Sequence, residues 1–485
     1  MSSQLDGGNE NIVSLRAISI HGHFYQPPRE DPISGLIPKE VGAAPYRNWN
    51  ERIHAECYLP NAQLGNFEKI GFNIGPTLFS WMKTFDPGTT RLIVAQDAAN
   101  IRQNSVGNAI AQAYHHTILP LASREDKVTQ VEWGIADFEY QFGHKPIGMW
   151  LPETAVDLET LNILAERGIE FTILAPWQAE CDHLDVTEPY RVALSAGKSI
   201  TIFFYHQGLS TAVSFNPQLT INADEFIRNS VIPTYLREKD LRGEPQLLMI
   251  ASDGELYGHH QQFRDRFLAH LVNSASSSVG LEKTYPALWL KKYPAQKWVS
   301  IRGDTSWSCL HGVERWRGDC GCTPGDSRWK GYLRQAFNHL AHLVDKVYVD
   351  KMIEVQIDPW KLRNSYIHVV LGELLVDDLI SQSAGRKLDQ DVVEKIRLLL
   401  LAQWERQRIF TSCGWFFDDI SRIEPRNNIA YAAQAIRLTY LATGVDLSPQ
   451  IMADLQYVTS QRTNLRGDKV FLKEMQKTLP VKLSY

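Results

Sequence analysis

Over its first three hundred residues the chain alternates short apolar runs, most of them ending at a polar or acidic residue, with stretches of helical character. Strands alternating with helices specify a parallel sheet or barrel. The runs at 17–20, 91–95, 147–151, 171–174, 200–205, 247–251 and 298–301 therefore read as strands of one α/β unit. In a parallel barrel the reactive side chains gather where the strands end, because the loops of that face converge on one mouth. After Arg302 the pattern changes. Leu333, Phe337, Leu340, Val344 and Val347 fall on one helical face, as do Val392, Ile396, Leu399 and Leu400, and residues 429–441 are rich in Ala and other helix formers. The division lies in a Gly-, Cys- and Trp-rich stretch between residues 300 and 330, which predicts a barrel over 1–305 and a mainly helical domain over 306–485.

The strand exit at Gln246-Leu247-Leu248-Met249-Ile250-Ala251 runs into Ser252-Asp253-Gly254-Glu255-Leu256-Tyr257-Gly258-His259-His260. Acids and imidazoles thus stand where a buried strand opens into a loop. A second exit of the same build leads from Pro146-Ile147-Gly148-Met149-Trp150-Leu151 into Pro152-Glu153-Thr154-Ala155-Val156-Asp157. Two such acids suggest a paired-carboxylate enzyme. The first strand ends in His21-Gly22-His23, whose imidazoles share one face if the chain stays extended. Co-facing histidines can bind a metal or hydrogen-bond a polyhydroxyl substrate, and Tyr114-His115-His116 can add one more imidazole to the same mouth.

Composition narrows the function classes. With 485 residues, 44% hydrophobic and 22% charged, the chain can bury a large core. A net charge of −5 supplies no basic footprint for nucleic acid. No apolar stretch approaches the roughly 20 residues that span a bilayer, and residues 1–11 are polar and acidic rather than a signal peptide, so the expected location is the cytoplasm and no membrane partner is expected. Thirteen Trp offer flat faces suited to sugar rings as well as to core packing. Six Cys fit a reducing compartment. Cys309-Leu310-His311 and Cys320-Gly321-Cys322 could supply soft metal ligands, but their spacing does not match the common CxxC zinc knuckle, and the expectation is reduced, packed thiols without a metal.

Taken together these residues resemble glycoside hydrolase family 57, whose members act on α-glucans. His21-Gly22-His23 is similar to the family's first motif, Trp150-Leu151-Pro152-Glu153 to its third and Asp253-Gly254-Glu255 to its fourth, in the same order and after strands. His116 resembles the family's substrate-contacting histidine. The segments from Ala44 to Arg52, from Thr305 to Trp316 and from Phe410 to Phe417 resemble a bacterial branch of the family that carries an additional C-terminal domain of unassigned function. Compared with that branch the C-terminal domain here is short. The resemblance implies an incomplete (β/α)7 barrel, retention of anomeric configuration, Glu153 as nucleophile, Asp253 as general acid/base and no cofactor.

Chemistry makes those roles reasonable. A retaining glycosidase needs an ionised carboxylate to attack the anomeric carbon and a protonated one to donate to the leaving oxygen, at roughly 5–5.5 Å separation. Burial or the partner's negative charge raises the donor's pKa. Glu255 competes with Asp253 for the acid role; the family pattern favours Asp253 and leaves Glu255 to hold a histidine or a sugar hydroxyl. His259 and His260 divide between capping a helix near Gln261 and touching substrate. Trp307 and His311 are expected at the rim as a sugar platform, and His21, His23, His116 and Trp150 complete the expected substrate contacts. The expected reaction is hydrolysis or transglycosylation of an α-glucan or maltooligosaccharide, of α-amylase, 4-α-glucanotransferase or branching type. A metal-dependent deacetylase or mannosidase would use His21, His23 and Asp253 as ligands, and Glu153 would then be superfluous. A noncatalytic glucan-binding barrel is the third reading, against which both acids are present.

Overall fold

The computed structural model describes residues 15–477, so residues 1–11, read above as free of a signal peptide, lie outside the described residues. Seven parallel strands make the barrel: β1 (Arg16–Phe24), β2 (Gly71–Ile74), β3 (Ala111–Gln112), β4 (Met149–Trp150), β5 (Phe171–Leu174), β6 (Ser199–Phe204) and β7 (Gln246–Asp253). β1 pairs along its length with β7 and, at its C-terminal end, with β2. β3 pairs with β4 and β5 with β6, while the bridges Phe72↔Ala109 and Gly148↔Phe171 join β2 to β3 and β4 to β5. No ladder joins β6 to β7 among the described residues; instead the His206 N–H donates to the Met249 carbonyl at 2.7 Å. The barrel is open there.

Side chains alternate along each strand with the period of two that an extended chain imposes. Ala17, Trp150, Phe171, Ile173, Phe203, Leu247, Met249 and Ala251 meet in one cluster, whereas Ile18, Ile20, Ile202, Leu248 and Ile250 pack with residues of the surrounding helices. Both faces are buried, as parallel strands require. The same alternation puts His21 and His23 on the face of Ala17, and Asp253 on that of Leu247, Met249 and Ala251.

Two strand expectations change. Residues 91–95 lie inside the helix Pro87–Asn104, which starts on Pro87 with the Asp86 carboxylate accepting from the Gly88 and Thr89 N–H groups. That cap and the proline, not the apolar run, decide the local structure. The run at 298–301 shortens to a strand at Lys297–Trp298. β2 and β3 carry Asn73 and Gln112 in place of an apolar run and had no legible signal.

Beyond the barrel the structure is helical. The long helices Trp329–Glu354, Gln390–Arg408 and Ile423–Thr443 share cores to which the barrel contributes Ile118 and Ala155 in one cluster and Tyr114 and Trp133 in another. Asp126, on the barrel helix Arg124–Phe142, is buried against them. It pairs with Arg363 at 3.1 Å and Arg406 at 2.5 Å, and accepts from Gln407 Nε2 at 2.7 Å.

Candidate active site

β4 ends at Trp150, and the chain turns at once with Glu153 (φ 58°) and Thr154 (φ 49°) both left-handed. Such a conformation costs of order 1–3 kcal/mol per residue and persists only where neighbours over-determine it, the more so for a β-branched side chain. Gln178 does this here. Its Nε2 donates to the Thr154 carbonyl at 2.8 Å and its Oε1 accepts from the Thr154 hydroxyl at 3.0 Å. The Trp307 N–H donates to the Glu153 carbonyl, also at 3.0 Å.

The turn delivers the Glu153 carboxylate to a cavity of about 460 Å³, within the usual range for small-ligand sites. There its Oε2 accepts from Trp307 Nε1 at 3.0 Å and from the Ser308 hydroxyl at 2.6 Å. Burial lifts the Glu153 pKa above the usual carboxylate range, while those two donors and the Arg315 guanidinium favour its charged form.

Asp253 closes β7 in register with His23 of β1 and lines the same cavity. No side-chain donor reaches its carboxyl among the described residues. Its side chain is exposed at the mouth, yet protein crowds its other sides; that crowding, and then the charge of Glu153, push its pKa up to about 7. One acid is thus supplied with donors that hold negative charge, and the other has none. Trp177, Tyr205, Phe215, Trp307 and Phe416 give the cavity aromatic walls.

Behind the cavity lies a layer of neutral imidazoles. Trp150 is fully buried and stacks on His21 and His23, with ring centroids 5.1 and 4.9 Å apart. Asn73 Nδ2 donates to Gln112 Oε1 at 2.7 Å and to His23 Nδ1 at 2.9 Å, and its Oδ1 accepts from His21 Nε2 at 3.2 Å. That amide orientation leaves the His23 proton on Nε2, donated to His116 Nε2 at 3.1 Å, and the His116 proton on Nδ1, donated to Ser412 Oγ at 2.6 Å. Burial lowers the pKa of His21 to about 4, that of His23 to about 3 and that of His116 well below the usual range.

Several expected contacts therefore stand elsewhere. His21, His23, His116 and Trp150 form this buried layer and do not line the cavity wall. Glu255 points away from it, accepting from Gln26 Nε2 at 2.6 Å and from the Tyr58 hydroxyl at 3.1 Å, and burial pushes its pKa up to about 8. His259 Nδ1 lies 2.6 Å from Glu56 Oε2, outside the cavity, while His260 and Trp307 line it. Neither His259 nor His260 caps a helix, since the next one begins at Arg264 after a left-handed Phe263. His311 leaves the rim; its Nδ1 sits 3.4 Å from Cys322 Sγ. The metal triad His21, His23 and Asp253 does not form either, because both ring nitrogens of His23 are engaged by Asn73 and His116. Sequence reasoning missed Ser308, Tyr205, Trp177, Arg315 and Phe416. Adjacency to Trp307 was the signal for Ser308; the others converge only through the fold.

The chain matches the model described as glycosyl hydrolase family 57 over residues 47–297, and a domain of unknown function, DUF3536, over residues 326–481. An α-amylase from Pyrococcus abyssi is 22% identical over 193 residues, 39% of this chain and 27% of that protein. A 4-α-glucanotransferase from Thermococcus litoralis is 24% identical over 174 residues, 34% of this chain and 25% of that one. The chain thus spans about a quarter of the length of these curated relatives. A solved exo-type maltose-forming amylase from Pyrococcus sp. ST04 superposes with a TM-score of 0.69 at 16% identity, covering 94% of this chain and 88% of that one. A GH57-type branching enzyme from Pyrococcus horikoshii gives 0.62 at 13% identity, covering 96% and 98%. The fold is therefore that of an incomplete (β/α)7 barrel with a helical C-terminal region. Because the family model spans just over half of the 485 residues, the chain belongs to glycosyl hydrolase family 57.

Proposed function

We propose that the chain is a retaining enzyme of α-glucans, a hydrolase or transglycosylase working by double displacement. In the first half-reaction the Glu153 carboxylate attacks the anomeric carbon while Asp253 protonates the departing glycosidic oxygen. In the second, Asp253 takes a proton from water or a sugar hydroxyl, whose oxygen displaces Glu153. The observation that carries this reading is the contrast between the two carboxyls of one cavity. Glu153 accepts two hydrogen bonds that favour its anion, while Asp253 has no side-chain donor among the described residues and its pKa is pushed up to about 7. The aromatic walls suit sugar faces, and relatives named as amylase and glucanotransferase point to α-glucan as substrate.

Residues 1–305 are read as the catalytic barrel and 306–485 as a helical domain that narrows the substrate channel, a role supported by Phe416 in the cavity wall. Among the described residues no helix is long and apolar enough to cross a membrane. A cytoplasmic location is proposed on the six cysteines, none of them in a disulfide among the described residues.

Incubation with maltoheptaose, followed by mass and by anomeric proton signals, tests the reading. Products of retained configuration are expected, with transfer showing as oligomers both longer and shorter than the substrate. Glu153→Gln and Asp253→Asn should each lower turnover by about 10²-fold or more with the fold intact. Inverted products, or normal turnover in either variant, would reject the mechanism.

A further inference from the structure

The loop that supplies Trp307 and Ser308 to Glu153 continues into a second constellation. Cys309, His311, Cys320 and Cys322 bring one ligand atom each to within 4.8 Å of one another. Cys309 Sγ and Cys322 Sγ are 3.7 Å apart, and His311 Nδ1 lies 3.4 Å from Cys322 Sγ. A disulfide would need about 2.05 Å between sulfurs. A tetrahedral zinc with bonds of about 2.3 Å to sulfur and about 2.05 Å to nitrogen has edges of about 3.8 Å between sulfurs and about 3.6 Å from sulfur to nitrogen. The Cys309–Cys322 and His311–Cys322 separations match those edges, and the full set, within 4.8 Å, can close on one ion with small side-chain shifts. Three thiolates and one imidazole are also a closed, structural ligand set with no position left for substrate.

The backbone is shaped for this convergence. Gly312 and Gly321 are left-handed, at φ 78° and 68°, and a Cβ on Gly312 would stand 2.2 Å from the Asp304 carbonyl oxygen. The Cys322 N–H points at Cys320 Sγ from 3.4 Å, which suits a thiolate. Buried Lys330, hydrogen-bonded to the Thr323 hydroxyl at 2.6 Å, places positive charge near Cys309 and Cys320, where a zinc with three thiolates carries net charge −1. Of the four ligands only Cys309 is buried, so the site lies outside the catalytic cavity and within reach of a chelator. The reading of these cysteines as packed thiols without a metal rested on the missing CxxC spacing; in the fold, two residue-x-residue pairs are brought together by the turn through the helix Glu314–Arg317.

We propose that Cys309, His311, Cys320 and Cys322 bind one structural zinc ion that clamps the Trp307–Ser308 segment against Glu153. The clamp acts through the chain: Cys309 follows Ser308 directly, and the Ser306 hydroxyl donates to the Gly312 carbonyl at 2.6 Å, closing the loop on itself. The consequence for turnover rests on the glycosidase reading above. The metal does not.

Elemental analysis of the full-length protein from zinc-replete cells tests the site without any activity measurement. About one zinc per chain should survive dialysis, leave in step with three thiols on mercurial titration, and be absent from the folded Cys320→Ser/Cys322→Ser variant. Cobalt(II) in place of zinc should give thiolate charge-transfer absorption and the intense visible bands of a tetrahedral site, a readout that needs no variant to fold. Zinc-free protein whose Cys309, Cys320 and Cys322 react with a thiol reagent as readily as exposed Cys181, and which develops no cobalt–thiolate band, overturns the site. If zinc is bound, its removal should lower kcat on maltoheptaose about tenfold or more, because the donors to Glu153 lose their anchorage. Bound zinc whose removal leaves kcat unchanged overturns the clamp.

Discussion

The two carboxyls of the cavity differ in what surrounds each, and the proposed mechanism assigns them opposite roles on that difference. A catalytic acid must carry its proton, so kcat/KM should fall as pH rises through about 7, and it should fall again at low pH as Glu153 protonates; a rate profile from pH 4 to 9 measures both limbs. The same shift appears in stability. A folded-state pKa above the unfolded value of 3.8 means that the native state binds the extra proton, so the contribution is present below about 4 and is lost as pH rises to about 7. Asp253→Asn should therefore melt at a higher temperature than the parent at pH 8 while having little turnover. Glu255 should behave in the opposite way, because it bonds Gln26 and Tyr58 rather than lining the cavity. Glu255→Ala strands two buried donors, and its denaturant midpoint should reveal a loss of about 1–3 kcal/mol with kcat changed far less than in Asp253→Asn. Glu153 and Asp253 were legible in the sequence because each ends an apolar strand within a motif. Which of Asp253 and Glu255 lines the cavity was not legible from the residues alone, since two positions of chain decide which wall a side chain meets; only the resemblance to the family favoured Asp253.

At the scale of elements, the turn from Pro152 to Thr154 stores backbone strain that Gln178 restrains through both ends of its amide. Gln178→Ala should free Thr154 to relax, withdraw the Glu153 carboxylate and lower kcat more than it raises KM, with a modest fall in melting temperature; an unchanged kcat would remove Gln178 from the positioning of Glu153. Strands β1, β4, β5, β6 and β7 could be read from composition because parallel strands buried on both faces are nearly continuous apolar runs. β2 and β3 could not, since their inward positions hold Asn73 and Gln112, polar groups placed there to orient the histidines. The helix Pro87–Asn104 shows the converse error, an apolar run overruled by a cap and a proline seven residues or less before it.

Across the whole molecule, barrel and helices are held by polar groups that neither part could bury alone. Asp126 faces Arg363 and Arg406 from the other part of the chain, and Asp126→Ala leaves two buried guanidinium groups short of a partner. Urea unfolding should show a loss of roughly 3–5 kcal/mol, shared between barrel and helices as one transition. Ser412 plays a gentler version of this part, receiving the last proton of the histidine chain from the helical side. None of these long-range partners is visible in a sequence, where about 280 residues separate Asp126 from Arg406.

The pairing of β1 with β7 bears on how such a chain comes into being. Each residue of β1 from Arg16 to His23 finds its β7 partner 230 positions later, and among the described residues the only other strand paired with its first half is the short segment Glu282–Lys283, which is made later still. On a ribosome, β1 must wait as an unpaired apolar edge until residues 246–253 have emerged. Closing so long a loop is slow. Nascent chains stalled before residue 253 should consequently depend on chaperones and be degraded readily, whereas those stalled after the helical domain has emerged should already resist protease.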